Sequence, residues 1–216
     1  MPKILAAGLL VASLLVPATA AQADSDQGTT MIPAKDSVIV KIVTMNGSGC
    51  PAGTAMAQMY PDGTGFRIFY NDYLVQDGDG APPVDVRKNC QINLQVKTPR
   101  GYTYAISRAS YRGYAHLVTG AVGTQLSHFY FAGMSQTQTY KHTFVGPYHG
   151  SWNVVDTPSL DSLQFAPCDE DRNLNINTEL RVFNDSGTEN KISFMSMGTS
   201  TTRFSADYDF EWRTCA

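Results

Sequence analysis

Glu179 and Glu211 are the carboxylates whose positions best suit a general acid and base. Each falls at a polar position in a segment where apolar and polar residues alternate, so each would point away from the buried side of a strand. Two carboxyl groups about 5–9.5 Å apart can cleave a glycosidic bond. These two would form such a pair if their strands flank one groove. Two histidines offer a second chemistry. Segments 125–132 and 137–145 read as a hairpin turning near Ser135, which would set His128 opposite His142, with Tyr130 and Tyr140 on the same face. Cross-strand neighbours can share a proton or a ligand, and a one-residue slip in register would separate them.

Oxygen ligands are concentrated in residues 169–180, where Asp169, Asp171 and Asn173 occupy alternate positions. Calcium takes such ligands, but a helical calcium loop needs Gly at its sixth place and Glu at its twelfth. Here those places hold Leu174 and Leu180. What remains is an irregular calcium site beside a strand, against the plainer reading of a solvated acidic turn. Asp77-Gly78-Asp79-Gly80 carries the same two readings. A third group, Tyr102, Tyr104, Tyr111 and Tyr114 with Arg108 and Arg112, offers aromatic faces and guanidinium forks that suit a sugar ring or a protein patch. The competing role for those tyrosines is core packing. Gly-x-Ser-x-Gly, His-Glu-x-x-His and a phosphate-binding Gly-Lys-Ser/Thr loop are absent from the sequence. A triad assembled from distant positions would leave no such motif.

The elements that must hold these residues are strands. In residues 90–97, Cys90, Ile92, Leu94 and Val96 alternate with Gln91, Asn93, Gln95 and Lys97, the pattern of a half-buried strand. Similar patterns cover 37–44, 174–183 and 208–214. Strand-like runs also cover 54–60, 66–70, 102–108, 111–118, 125–132, 137–145 and 191–195. Turn sequences such as Asn46-Gly47 and Asn184-Asp185-Ser186-Gly187 separate them. Residues 152–165 are less regular and read as a long crossover. Many short strands without a helical stripe predict an all-β fold, an antiparallel β-sandwich of jelly-roll-like form.

The N-terminus predicts export. Lys3 precedes an apolar run from Ile4 to Val16, and small-x-small cleavage signals end at Ala20 and Ala23. The run is too short to span a bilayer. The organisation expected is a signal peptide over 1–23, a flexible leader over 24–35 and one domain over 36–216. The formal charge of −3, with no basic block, argues against nucleic acid or an anionic membrane as partner. Four cysteines in an exported chain predict two disulfides. Three connectivities are open, and Cys50–Cys90 with Cys168–Cys215 is preferred because each pair brackets one half of the chain. Zinc is disfavoured because no two cysteines are closely spaced. Asn46-Gly47-Ser48 and Asn184-Asp185-Ser186 are glycosylation sequons.

The order Asn46-Gly47-Ser48-Gly49-Cys50-Pro51, Arg87-Lys88-Asn89-Cys90-Gln91, Tyr111-Arg112-Gly113-Tyr114, Ala166-Pro167-Cys168, Asn175-Ile176-Asn177 and Trp212-Arg213-Thr214-Cys215 resembles a secreted-protein family of bacteria and fungi, domain of unknown function 4360. The resemblance implies export and a compact domain, and it carries no catalytic or binding residue. The function expected is a non-catalytic, monomeric extracellular module that binds a surface glycan or protein and needs no cofactor, with calcium as the one exception considered. The alternatives are a secreted polysaccharide hydrolase using Glu179 and Glu211, and a secreted inhibitor presenting residues 77–83.

Overall fold

A computed structural model describes Pro33 and residues 37–215, apart from 169, 186, 188, 189 and 199–203. The expected signal peptide and most of the leader lie outside the described residues. The strands are β1 (Ile39–Asn46), β2 (Ala55–Met59), β3 (Gly65–Tyr70), β4 (Leu74–Asp77), β5 (Arg87–Lys97), β6 (Tyr102–Leu117), β7 (Val122–Phe131), β8 (Gln138–Val145), β9 (Tyr148–Asp156), β10 (Leu174–Phe183), β11 (Ser193–Met197) and β12 (Phe204–Thr214). They form a five-stranded sheet, β1-β5-β10-β7-β8, and a seven-stranded sheet, β2-β3-β12-β6-β11-β4 with β9 also paired to β6. Their pairings are antiparallel.

The apolar side of each strand decides how the sheets meet. Ile92, Leu94, Ile176, Leu180, Phe129 and Phe131 of the smaller sheet share one core with Phe66, Ile68, Tyr104, Tyr111, Met195 and Tyr208 of the larger. Aromatic rings cross the gap edge to face, Phe129 on Tyr208 at 5.9 Å and Tyr104 on Phe131 at 5.5 Å. The all-β, two-sheet sandwich read from the alternation is the fold, and its disulfides are Cys50–Cys90 and Cys168–Cys215.

The long strand β6 organises the larger sheet. β12 pairs with it from Tyr102 to Tyr111, β11 continues that edge from Gly113 to His116, and β9 takes the other edge from Ala109 to Leu117. The sequence breaks β6 into two strands because its alternation changes phase. Ser107 is an extra residue in the pairing with β12, since Ile106 faces Phe210 and Arg108 faces Asp209. This bulge carries the inward positions from Tyr104 and Ile106 to Ala109 and Tyr111. β9 corrects the expected crossover over 152–165, whose first residues are strand. β4 has only four residues, too few for a period to register.

Gly113 lets three strands close on one another. A Cβ there would stand 1.8 Å from the Ser196 carbonyl oxygen on β11 and 2.4 Å from the Trp152 ring on β9. Gly113→Ala is expected to cost about 1–3 kcal/mol by overpacking. Urea unfolding checks this, and an unchanged midpoint would contradict it.

Polar groups also occupy the core. Tyr70, Tyr73, Tyr104, Tyr111 and Tyr208 are buried, and burial is the main cause that raises each hydroxyl's pKa. For a phenol whose folded pKa lies above its unfolded value of about 10, stability is full below that pH and is lost as pH rises toward the folded value. Phenolate absorbance from these five rings should therefore appear together with the loss of near-ultraviolet circular dichroism. Ionisation of all eleven tyrosines in a chain that keeps its native spectrum would contradict this.

Candidate functional site

The outer face of the larger sheet gathers chemistry that no single segment shows. Beyond the bulge, β6 turns Ser110, Arg112, Tyr114 and His116 away from the core. β9 sets Val155, Asn153, Ser151 and His149 directly opposite them. β11 adds Ser196 opposite Tyr114 and Phe194 opposite His116. The Tyr114 hydroxyl and His149 Nε2 are 2.9 Å apart, and the Nδ1 atoms of His116 and His149 share a hydrogen bond of 2.9 Å. The two imidazoles meet edge to face, with ring centres 5.2 Å apart. Phe194 lies beside both Tyr114 and His116, at 6.1 and 5.8 Å.

An ion cluster continues this face toward β3. The side chain of Asp207 on β12 is only 5% exposed and accepts from Arg112 Nη2 at 2.6 Å. It also accepts from Arg67 Nη2 at 3.2 Å and from the Tyr60 hydroxyl at 2.7 Å. Burial, followed by the Asp207 carboxylate, raises the Tyr60 pKa. The Arg67 guanidinium sits over the Tyr60 ring at 5.1 Å. Arg108 pairs with Asp209 at 3.3 Å. These contacts hold the Arg112 guanidinium against Asp207 of β12, two residues along β6 from Tyr114.

The structure divides the expected tyrosine–arginine cluster. Arg108, Arg112 and Tyr114 are on the outer face. Tyr104 and Tyr111 are in the core, 1% and 0% exposed, because the bulge carries the inward phase through both. Tyr102 lies at the far end of β6, lining an open cleft with Pro99, Gly101 and Pro167.

The expected acid–base pair is corrected. Glu179 belongs to the smaller sheet and Glu211 to the larger, so the sandwich core lies between them. Glu179 is also held by Arg87 and Arg181. The expected His128–His142 pair is corrected as well. β8 runs three residues out of the expected register, so His142 faces Gln125 and His128 faces Thr139. The two histidines therefore sit on opposite faces of their sheet. His128 Nδ1 hydrogen-bonds Thr139 at 2.9 Å. His142 Nε2 meets the buried Asp156 at 2.7 Å, and Asp156 accepts from Ser127 at 3.3 Å. The carboxylate stands between the serine and the histidine, and Ser127 is fully buried, so the histidine does not activate this hydroxyl as a nucleophile.

Of the expected oxygen ligands, Asp169 lies outside the described residues. Asp171 is exposed, and Asn173 donates to Asn93 Oδ1 at 2.7 Å. Among the described residues no group of three or more His, Cys, Asp or Glu is arranged to hold a metal. Asp77 accepts from the backbone N–H groups of Gly78 and Asn184, which anchors the turn that begins the proposed inhibitory loop. Asn184 is buried, and its amide donates to two carbonyls, so of the two sequons only Asn46 exposes its asparagine.

His116, His149 and Phe194 were missed in the sequence. The available signal was the alternation of Tyr148, Gly150, Trp152 and Val154 with His149, Ser151 and Asn153. Glycine and serine within it weaken the contrast between the two faces.

Among the described residues no helix is long and apolar enough to cross a membrane. The chain is similar to a protein of Arthroderma benhamiae described as an "Uncharacterized secreted protein", with 30% identity over 190 residues, covering 88% of this chain and 77% of that protein. The family described as "Domain of unknown function (DUF4360)" matches residues 36–215, and the chain belongs to it.

Proposed function

We propose that this is a secreted, non-catalytic binding module that uses the outer face of its larger sheet to hold a surface glycan. The observation that carries the reading is the alignment of Arg112, Tyr114 and Phe194 with the exposed Ser151 and Asn153 on one open sheet face. Ring edges and faces pack on the apolar side of a sugar, while guanidinium and amide groups bond its hydroxyls. The corrected positions of Glu179 and Glu211 remove the basis for a two-carboxylate hydrolase. Secretion is supported by the N-terminal pattern, the two disulfides and the secreted fungal relative.

A glycan array probed with the secreted protein in EDTA tests the reading, followed by titration of the best hit against variants. Tyr114→Ala and Asn153→Ala are each expected to weaken binding about tenfold, the equivalent of about 1.4 kcal/mol. Tyr130→Ala, on the other sheet, should leave it unchanged. An empty array, or a hit that ignores Tyr114 and Asn153, would overturn the proposal.

A further inference from the structure

Two facing imidazoles on paired strands can do more than pack. We propose that His116 and His149 form a two-nitrogen site for a divalent copper or nickel ion. His116 and His149 are direct partners in the β6–β9 ladder, so backbone hydrogen bonds hold both side chains near one point. Their Nδ1 atoms are 2.9 Å apart. Two nitrogens each about 2.0–2.1 Å from one ion are about 2.9 Å apart when they subtend a right angle, and about 3.3 Å apart at a tetrahedral angle. The observed spacing is that of the hydrogen bond between the rings, and it equals the separation at adjacent corners of a square-planar or tetragonal ion, the geometry that copper(II) and nickel(II) prefer, once each ring turns its Nδ1 lone pair from the other nitrogen toward the ion. Imidazole is a suitable ligand for both, and copper is bound more tightly than nickel in the general order of divalent ions.

The surroundings suit a bound ion. His149 is exposed and His116 half exposed, so an ion has access. An open depression of about 370 Å³ beside the pair, lined by both histidines with Thr119 and Tyr148, leaves room for water at the remaining coordination positions, while Lys191 in the same lining places an opposing positive charge there. When the ion takes both Nδ1 atoms, the hydrogen they share moves to an Nε2 nitrogen and both rings stay neutral. His149 Nε2–H then donates to the Tyr114 oxygen, 2.9 Å away. That is the outer partner that a metal-bound imidazole uses to fix its tautomer and orientation. Phe194 lies against the His116 ring, with ring centres 5.8 Å apart.

The site goes beyond the glycan reading and is tested without any glycan. Full secreted protein without a polyhistidine tag would be titrated with copper(II) chloride and followed by calorimetry and electron paramagnetic resonance. One ion per chain with two equatorial nitrogens is expected. His116→Ala and His149→Ala should each abolish that signal, and His128→Ala should keep it. Tyr114→Phe should weaken binding about tenfold and retain both nitrogens. Should an alanine variant fail to fold, ring-proton spectra of the unaltered protein decide, because copper must broaden His116 and His149 and spare His128 and His142. Absence of saturable binding, or a copper signal that survives loss of both histidines, would overturn the proposal. Either result leaves the glycan titration, done in EDTA, to stand or fall separately.

Discussion

Mild thiol treatment of the folded protein is expected to open Cys168–Cys215 well before Cys50–Cys90. Cys50 and Cys90 are 0% and 1% exposed. Cys50 lies in the connection after β1, and Cys90 lies within β5, so a reductant reaches this sulfur pair only when the sandwich opens. Cys168 is exposed in the connection before β10, and Cys215 follows the end of β12. The sequence separations are 40 and 47. In the chain-entropy description each crosslink then contributes about 4 kcal/mol by restricting the unfolded chain. The order of opening is therefore set by access and not by loop length. Alkylation and mass mapping at increasing thiol concentration should label Cys168 and Cys215 first, in a chain that keeps its native spectrum. Replacing Cys50 and Cys90 together by serine should cost about 4 kcal/mol or more, because it also places hydroxyls in an apolar interior. Equal labelling of all four cysteines from the start would contradict the difference in access.

Asp207→Ala is expected to destabilise the chain by about 3 kcal/mol, near the lower limit for breaking a buried ion pair. Its carboxylate is shielded under Arg67, Arg112 and Tyr60 and joins the β3, β12 and β6 region of one sheet. Removing it sets two guanidinium groups side by side. Their partial exposure, 34% and 41%, lets water recover part of the loss. Arg112→Ala should cost only about 1 kcal/mol, as for a partly exposed pair, because Arg67 and Tyr60 still satisfy the carboxylate. Urea unfolding of the two variants checks the asymmetry, and equal losses would contradict it. Arg112 also stands next to Tyr114, so Asp207→Ala should disturb the proposed glycan face more than its own exposure suggests.

The faces of the strands were legible where alternation was clean. Cys90, Ile92, Leu94 and Val96 face inward as their period requires, and Glu179 and Glu211 face outward as expected. The disulfide partners were legible because the cysteines bracket the two halves of the chain. The tyrosine cluster was legible only in part. Arg112 and Tyr114 do lie outside, but the bulge at Ser107 moves Tyr104 and Tyr111 inward together. The change of phase between Ile106 and Ala109 shows in the sequence, but only the pairing with β12 makes it a bulge within one continuous strand that keeps both tyrosines inward.

An all-β composition, two disulfides and the face each regular strand turns outward were determined by the sequence itself, because each depends on composition, chain order or a local period of two. Which sheet a strand joins and which residue it meets were decided only in the tertiary structure. That is why Glu179 and Glu211 part company, why His142 meets Asp156 instead of His128, and why His149 meets His116. Register belongs to a pair of strands and is set by packing across the whole core.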